Sequence, residues 1–213
     1  MKALLLGATG LVGRELLDQL LDDDRYTAVI VVARRSTGVR HAKLVEHVFD
    51  LEQMESHPDA FAAEDVFCAL GTTIRIAGSQ ERFRVVDFEL PLRAARLARE
   101  RGAAHYLLVS SIGADPRSRI FYTRVKGELE RALMKLGYPS LTIARPSTLL
   151  GDRPEHRRGE GIAQRLGWLV PAAYKPIHGR AVARALLAAA HDPAPGTRIL
   201  QSREMRERFG TAV

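Results

Sequence analysis

Two groups of residues in this chain have the types and spacing that do chemistry. The first is the turn Gly7-Ala-Thr9-Gly10-Leu11-Val12-Gly13. An apolar run, 3–6, leads straight into it, and Val12, Leu16, Leu17, Leu20 and Leu21 follow at the spacing of one buried helix face. A strand, a glycine turn and a helix start make an anion site, because the first N–H groups of a helix lack intrahelical partners and its dipole is positive there. Glycines alone mark turns; glycines between a strand and a helix predict a bound dinucleotide. The second group is Tyr122 and Lys126, with Ser110 and Ser111 upstream. Residues four apart share a helix face. An unperturbed phenol titrates near ~10 and exchanges protons poorly at neutral pH, but an adjacent ammonium favours the phenolate and suits the pair to general acid–base work. A serine at a strand end would hydrogen-bond a substrate carbonyl. The same Tyr–Lys spacing also arises when a lysine stem merely covers a ring, and the upstream serines argue against that.

Three further features bear on the ligand. Arg34 and Arg35 follow a β-branched run at once, where a doubly wound fold meets the adenosine ribose. A carboxylate there would favour NAD, whereas paired guanidiniums offer a bidentate fork to a 2′-phosphate, so the expected cofactor is NADP(H). Asp50 either accepts from the adenine amino group or caps a following helical turn. Leu70 and Gly71 leave the fourth apolar run; they either let backbone approach the cofactor or form a simple turn.

The elements that must position these groups alternate. Strands are predicted at 26–33, 43–48, 65–70, 105–110 and 140–144 besides the first. Helices are predicted at 83–101, where Pro91 kinks or starts a helix and Gly102 caps it, and at 121–136, ended by Gly137. Strands alternating with helices and lacking tight hairpins predict an α/β fold, a doubly wound parallel sheet covered on both faces. After Pro146 the composition changes: 151–161 reads as a polar, basic loop, 162–170 and 180–191 as helices, 198–201 as a strand, and the last dozen residues as a fraying tail. The expected organisation is one domain, 1–213, with 146–213 as a reduced substrate region and small helical cap.

Composition narrows the classes. In 213 residues, 46% are hydrophobic and 27% charged, which fits a globular chain rather than a disordered one. The net charge of +7 is scattered along helices and loops rather than gathered in a tract, which argues against a nucleic-acid partner. No apolar run has the length of a membrane helix, and the first is too short for a signal segment. The seven histidines lack metal-ligand spacing, so no metal is expected. The single cysteine, Cys68, permits no internal disulfide and sets the expectation of a reducing, cytoplasmic compartment. It lies within an apolar strand with no base near it in sequence, which discounts a thiol-dependent dehydrogenase.

Taken together, the glycine turn, the strand-end serines and Tyr-x-x-x-Lys resemble the short-chain dehydrogenase/reductase superfamily across nearly the whole chain. The stretches CALGTTIRIAGSQERFRVVDFEL, LLVSSIGAD, FYTRVKGELE and RPSTLLGDRPEHRRGE are similar to a narrower group, the small atypical members related to the Tat-interactive protein oxidoreductases. The resemblance implies NADPH against Thr9 to Val12, Arg34, Arg35, Leu70 and Gly71, and against a later loop matching Leu149 and Arg157. It implies Tyr122 as proton donor and acceptor and Lys126 as the ribose-binding lysine. Serine-to-tyrosine spacing is shorter here than is common in the superfamily; Ser111 is the expected catalytic serine, with Ser110 next. Asp87 stands where many relatives carry an asparagine. The expected activity is reduction of an unidentified small carbonyl substrate by a Ser111, Tyr122, Lys126 set. The rival is a non-catalytic NADPH-binding regulator whose cofactor orders 151–161 for a protein partner. A second copy of the chain is another partner left open.

Overall fold

The apolar strand runs pair side by side into one sheet. The structure, a computed structural model, describes residues 1–150, 171 and 174–210. Seven strands, β1 (Lys2–Leu6), β2 (Ala28–Ala33), β3 (Leu44–Val48), β4 (Asp65–Cys68), β5 (His105–Val109), β6 (Ser140–Arg145) and β9 (Gly196–Gln201), lie in the order β3-β2-β1-β4-β5-β6-β9. Every pairing in that sheet is parallel. A second, two-stranded sheet pairs β7 (Leu149–Leu150) with β8 (Ile177–His178).

Strand periodicity explains why the central runs are apolar throughout. In β1, Ala3 and Leu5 face one core while Leu4 and Leu6 face the other, and β2 repeats this with Val29 and Val31 against Ile30 and Val32. The first core is covered by α1 (Leu11–Asp22) and two C-terminal helices, labelled below α6 (Gly179–His191) and α7 (Ser202–Phe209). The five apolar positions expected on one face of α1 are all buried. The second core lies under 3₁₀ segments at Leu51–Ser56 and Pro58–Phe61, α4 (Leu90–Glu100) and α5 (Phe121–Met134). Two short helices, α2 (Ile74–Ala77) and α3 (Gln80–Arg84), precede α4.

Several predicted boundaries shift for local reasons. β2 begins at Ala28 because Tyr26 turns inward, its hydroxyl donating to Asp65 at 2.7 Å. β4 ends at Cys68, and Leu70 and Gly71 have already left the ladder. The helix expected over 83–101 is broken by a π turn, Val85–Glu89. Pro91 explains it: a proline ring collides with the carbonyl four residues back, and a wider turn relieves that collision. Accordingly the Leu90 N–H reaches back to the Val85 carbonyl. The tail does not fray over Ser202–Phe209; α7 is anchored by buried Met205 and by Ser202, whose hydroxyl accepts from Ser147 N at 3.0 Å. The expected loop 151–161 and helix 162–170 lie outside the described residues.

Candidate dinucleotide and catalytic site

The sheet order reverses between β1 and β4, so a crevice opens at their carboxyl ends. Gly7 leaves β1 there with φ +84°, and a Cβ on it would lie 2.6 Å from the Ala69 carbonyl oxygen. Gly13 packs the helix onto the turn: a Cβ there would sit 1.9 Å from Gly7 O. Gly10 differs. It is the N-cap of α1, supplies no side-chain cap, and a Cβ would meet only ordinary contacts, the nearest at 3.4 Å. Packing therefore does not require glycine at this position, while a pyrophosphate approaching the uncapped N–H groups would. Thr9 and Gly10 are exposed, Leu11 is half-buried, and Val12 points into the core, leaving only its backbone to a ligand. These residues fit the phosphate end of a dinucleotide.

Arg34 and Arg35 emerge at the carboxyl end of β2, both exposed, and neither ion-pairs among the described residues. The loop that carries them is held from below by Glu46 of β3, whose carboxylate accepts from Ser36 Oγ at 2.6 Å and from Thr37 N at 2.8 Å. Those hydrogen bonds hold the Glu46 carboxyl below its ordinary range, the Ser36 hydroxyl contributing most. Asp50 is the N-cap of Leu51–Ser56, its Oδ1 accepting from Glu52 N at 3.0 Å. Leu149 sits half-buried in β7, beyond the end of β6, and Arg157 lies outside the described residues.

On the other side of the crevice, Tyr122 and Lys126 occupy the first turns of α5. Tyr122 is half-buried, its ring 5.6 Å from that of Phe83, and its hydroxyl makes no hydrogen bond among the described residues. Lys126 is buried, with Nζ 2.7 Å from Asp87 Oδ1. Burial alone would push the ammonium's pKa down, but the Asp87 carboxylate, with Tyr122 adding, reverses this and the net shift is upward. A Cβ on Gly71 would lie 3.4 Å from Asp87 Oδ1 and 3.7 Å from Lys126 Nζ, so the β4 exit loop lies against this pair.

The two serines are not equivalent. Ser110 is buried and donates to Glu130 Oε1 at 2.5 Å, and Glu130 in turn pairs with Arg145. Ser111 is half-buried, and among the described residues its hydroxyl reaches only the neighbouring Ile112 carbonyl, at 3.2 Å. Ser110 is thus committed to a structural network. Glu130 lies one turn beyond Lys126 on α5, but it pairs with Arg145, while Lys126 pairs with Asp87. Cys68 is buried in β4, and burial pushes its thiol up, which suits a small core side chain rather than a nucleophile.

A seven-stranded doubly wound sheet with a glycine turn at its reversal point defines the nicotinamide-dinucleotide-binding class, and a family described as NAD(P)H-binding matches residues 7–193. Rat Protein HTATIP2 is 36% identical, the match covering 80% of this chain and 72% of that protein. Protein FMP52, mitochondrial, of Eremothecium gossypii is also 36% identical, over 96% of both chains. The chain belongs to this family, as an atypical short-chain dehydrogenase/reductase of the HTATIP2 type. Among solved structures, MoeE5 in complex with UDP-glucose and NAD superposes with a TM-score of 0.74 at 19% identity, over 99% of this chain and 82% of that one. UDP-glucose 4-epimerase from Thermotoga maritima gives 0.73 at 17%, over 99% and 83%. At such identities these two carry the fold alone. One expectation is overturned. The FMP52 relatives from E. gossypii, Candida albicans and Debaryomyces hansenii are named mitochondrial, against the cytoplasmic setting inferred from cysteine usage. A lone thiol buried in a strand forms no internal disulfide in any compartment, so it never carried an address.

Proposed function

We propose that this protein is an NADP(H)-dependent reductase of a small carbonyl compound. The observation that carries the proposal is the arrangement on α5 and at the strand ends: Tyr122, whose phenol has no hydrogen bond among the described residues, the buried Lys126 ammonium one turn further on against the β4 exit loop, and Ser111 after β5, whose hydroxyl meets no other side chain among the described residues. The preference for NADP(H) rests on Arg34 and Arg35, exposed and without an acidic partner among the described residues, where a 2′-phosphate would lie.

When bound, the reduced nicotinamide supplies a hydride equivalent to the carbonyl carbon. The chain's own residues do the rest. Ser111 Oγ donates to the carbonyl oxygen and orients it. Tyr122 Oη gives its proton to that oxygen as negative charge develops there, and Lys126 keeps positive charge beside the resulting phenolate while holding the ribose. The backbone N–H groups of Leu11, Val12 and Gly13, at the first turn of α1, would take the pyrophosphate, the Gly10 N–H being given to the Gly7 carbonyl.

The test is NADPH oxidation followed against a panel of aldehydes and ketones. Tyr122→Phe is expected to lower kcat by about 100-fold or more on any substrate the wild type turns over. Ser111→Ala is expected to lower kcat, while Ser110→Ala is expected to act on stability by releasing Glu130. Unchanged turnover in Tyr122→Phe would contradict the assignment. Tight NADPH binding with no oxidation across the panel would favour the regulator over the enzyme.

A further inference from the structure

Asp87 is the buried charge that the reaction scheme above leaves without a role. Its side chain is 0% exposed and that of Lys126 only 4%, so the ion pair between them is removed from solvent. One carboxylate oxygen faces the ammonium at 2.7 Å, and the other accepts from the Thr72 backbone N–H at 2.8 Å. A single side chain thereby ties the lysine of α5 to the loop that leaves β4. Asp87 itself is held in the π turn Val85–Glu89, an irregularity of the kind found at functional sites.

We infer that Asp87 is a positioning residue: its carboxylate fixes Lys126 against the Gly71–Thr72 loop and keeps that lysine charged where the cofactor ribose binds. The inference rests on the reading of Lys126 as a cofactor contact. An ammonium taken out of water tends to lose its proton unless a counter-charge holds it. Three groups act on Lys126 from the elements around it: Asp87 from the π turn, Tyr122 from its own helix, and Cys68 from β4. Burial keeps the Cys68 thiol protonated, so it offers no counter-charge. Nearby Glu128 and Glu130 are engaged by Arg84 and Arg145. Among the described residues the compensating carboxylate is therefore that of Asp87.

Asp87→Asn keeps the size and the Thr72 contact but removes the charge. NADPH affinity, read by cofactor fluorescence from pH 7 to pH 10, separates positioning from mere packing. The wild type is expected to hold its affinity across the range. Asp87→Asn is expected to lose about tenfold between neutral and alkaline pH, as the uncompensated ammonium gives up its proton. Lys126→Gln is expected to bind weakly at every pH, and Asp87→Asn/Lys126→Gln to match Lys126→Gln, because the carboxylate acts through the lysine. Melting temperatures guard against misfolding: the double variant should recover stability lost in Asp87→Asn, since it removes the orphaned charge. A pH-independent loss in Asp87→Asn, or a double variant that melts and binds worse than both singles, would overturn the inference while leaving the lysine's role intact. Wild-type binding by Lys126→Gln would overturn the role of the lysine, and the inference with it.

Discussion

Gly10 and Gly13 stand three residues apart in one turn and answer to different demands. A methyl group at Gly13 would be driven to 1.9 Å from the Gly7 carbonyl oxygen, so α1 must shift or the turn must open. Gly13→Ala is expected to cost about 1–3 kcal/mol or more and lower the melting temperature by several degrees. At Gly10 the nearest atom would be 3.4 Å away and φ is −79°, so alanine fits the fold. Gly10→Ala is expected to melt within about 0.5 kcal/mol of wild type yet to bind NADPH more weakly. Equal loss of stability at both positions would mean that the second glycine serves packing and not the ligand. The places of the glycine turn between β1 and α1, of Arg34 and Arg35 after β2, and of Tyr122 and Lys126 on α5 were legible in sequence, because each depends on local spacing. The partition of Ser110 from Ser111 was not. It rests on Glu130, which accepts from Ser110 and is held by Arg145, a set that forms only when α5 and β6 come together at the end of β5.

The long, evenly apolar elements also stood out in sequence, and the irregular ones did not. β1, β2, α1 and α5 declare themselves by periodicity, and their boundaries move by only a few residues. The π turn escapes because nothing in the composition of Val85–Glu89 departs from a helix; only the collision expected at Pro91 hints at it. α7 escapes because SREMRERF buries little beyond Ser202 and Met205. The strands also carry a pH-dependent element at the edge of the sheet opposite the site. His105 opens β5, its Nε2 2.9 Å from Thr142 Oγ1 and its Nδ1 buried without a hydrogen-bond partner among the described residues. Burial, with Arg25 and Arg198 adding, pushes its pKa from 6.5 down to about 4. The folded state thus holds the neutral ring while the unfolded chain takes up a proton below its own, higher pKa. This contribution is complete above about pH 6.5 and is lost as pH falls toward 4. Urea midpoints measured from pH 7 to pH 4 should fall more steeply for the wild type than for His105→Gln, and parallel curves would remove His105 from the account.

At the scale of the whole molecule, one parallel sheet gathers at its carboxyl edge residues from five separate strand ends: Gly10 after β1, Arg34 and Arg35 after β2, Gly71 after β4, Ser111 after β5 and Leu149 after β6. The excess of positive charge is consistent with a polyanionic small ligand as well as with a solvated surface, and under the proposed function Arg34 and Arg35, without an acidic partner among the described residues, are where that ligand's extra phosphate would sit. Calorimetric titration of the purified protein with NADPH and NADH tests this most directly. The account predicts that NADPH binds more tightly, and that Arg34→Ala/Arg35→Ala removes about 10- to 100-fold of that advantage, the worth of one to two charge-assisted hydrogen bonds. Equal affinity for the two coenzymes, a preference that survives loss of both arginines, or no heat with either would contradict it.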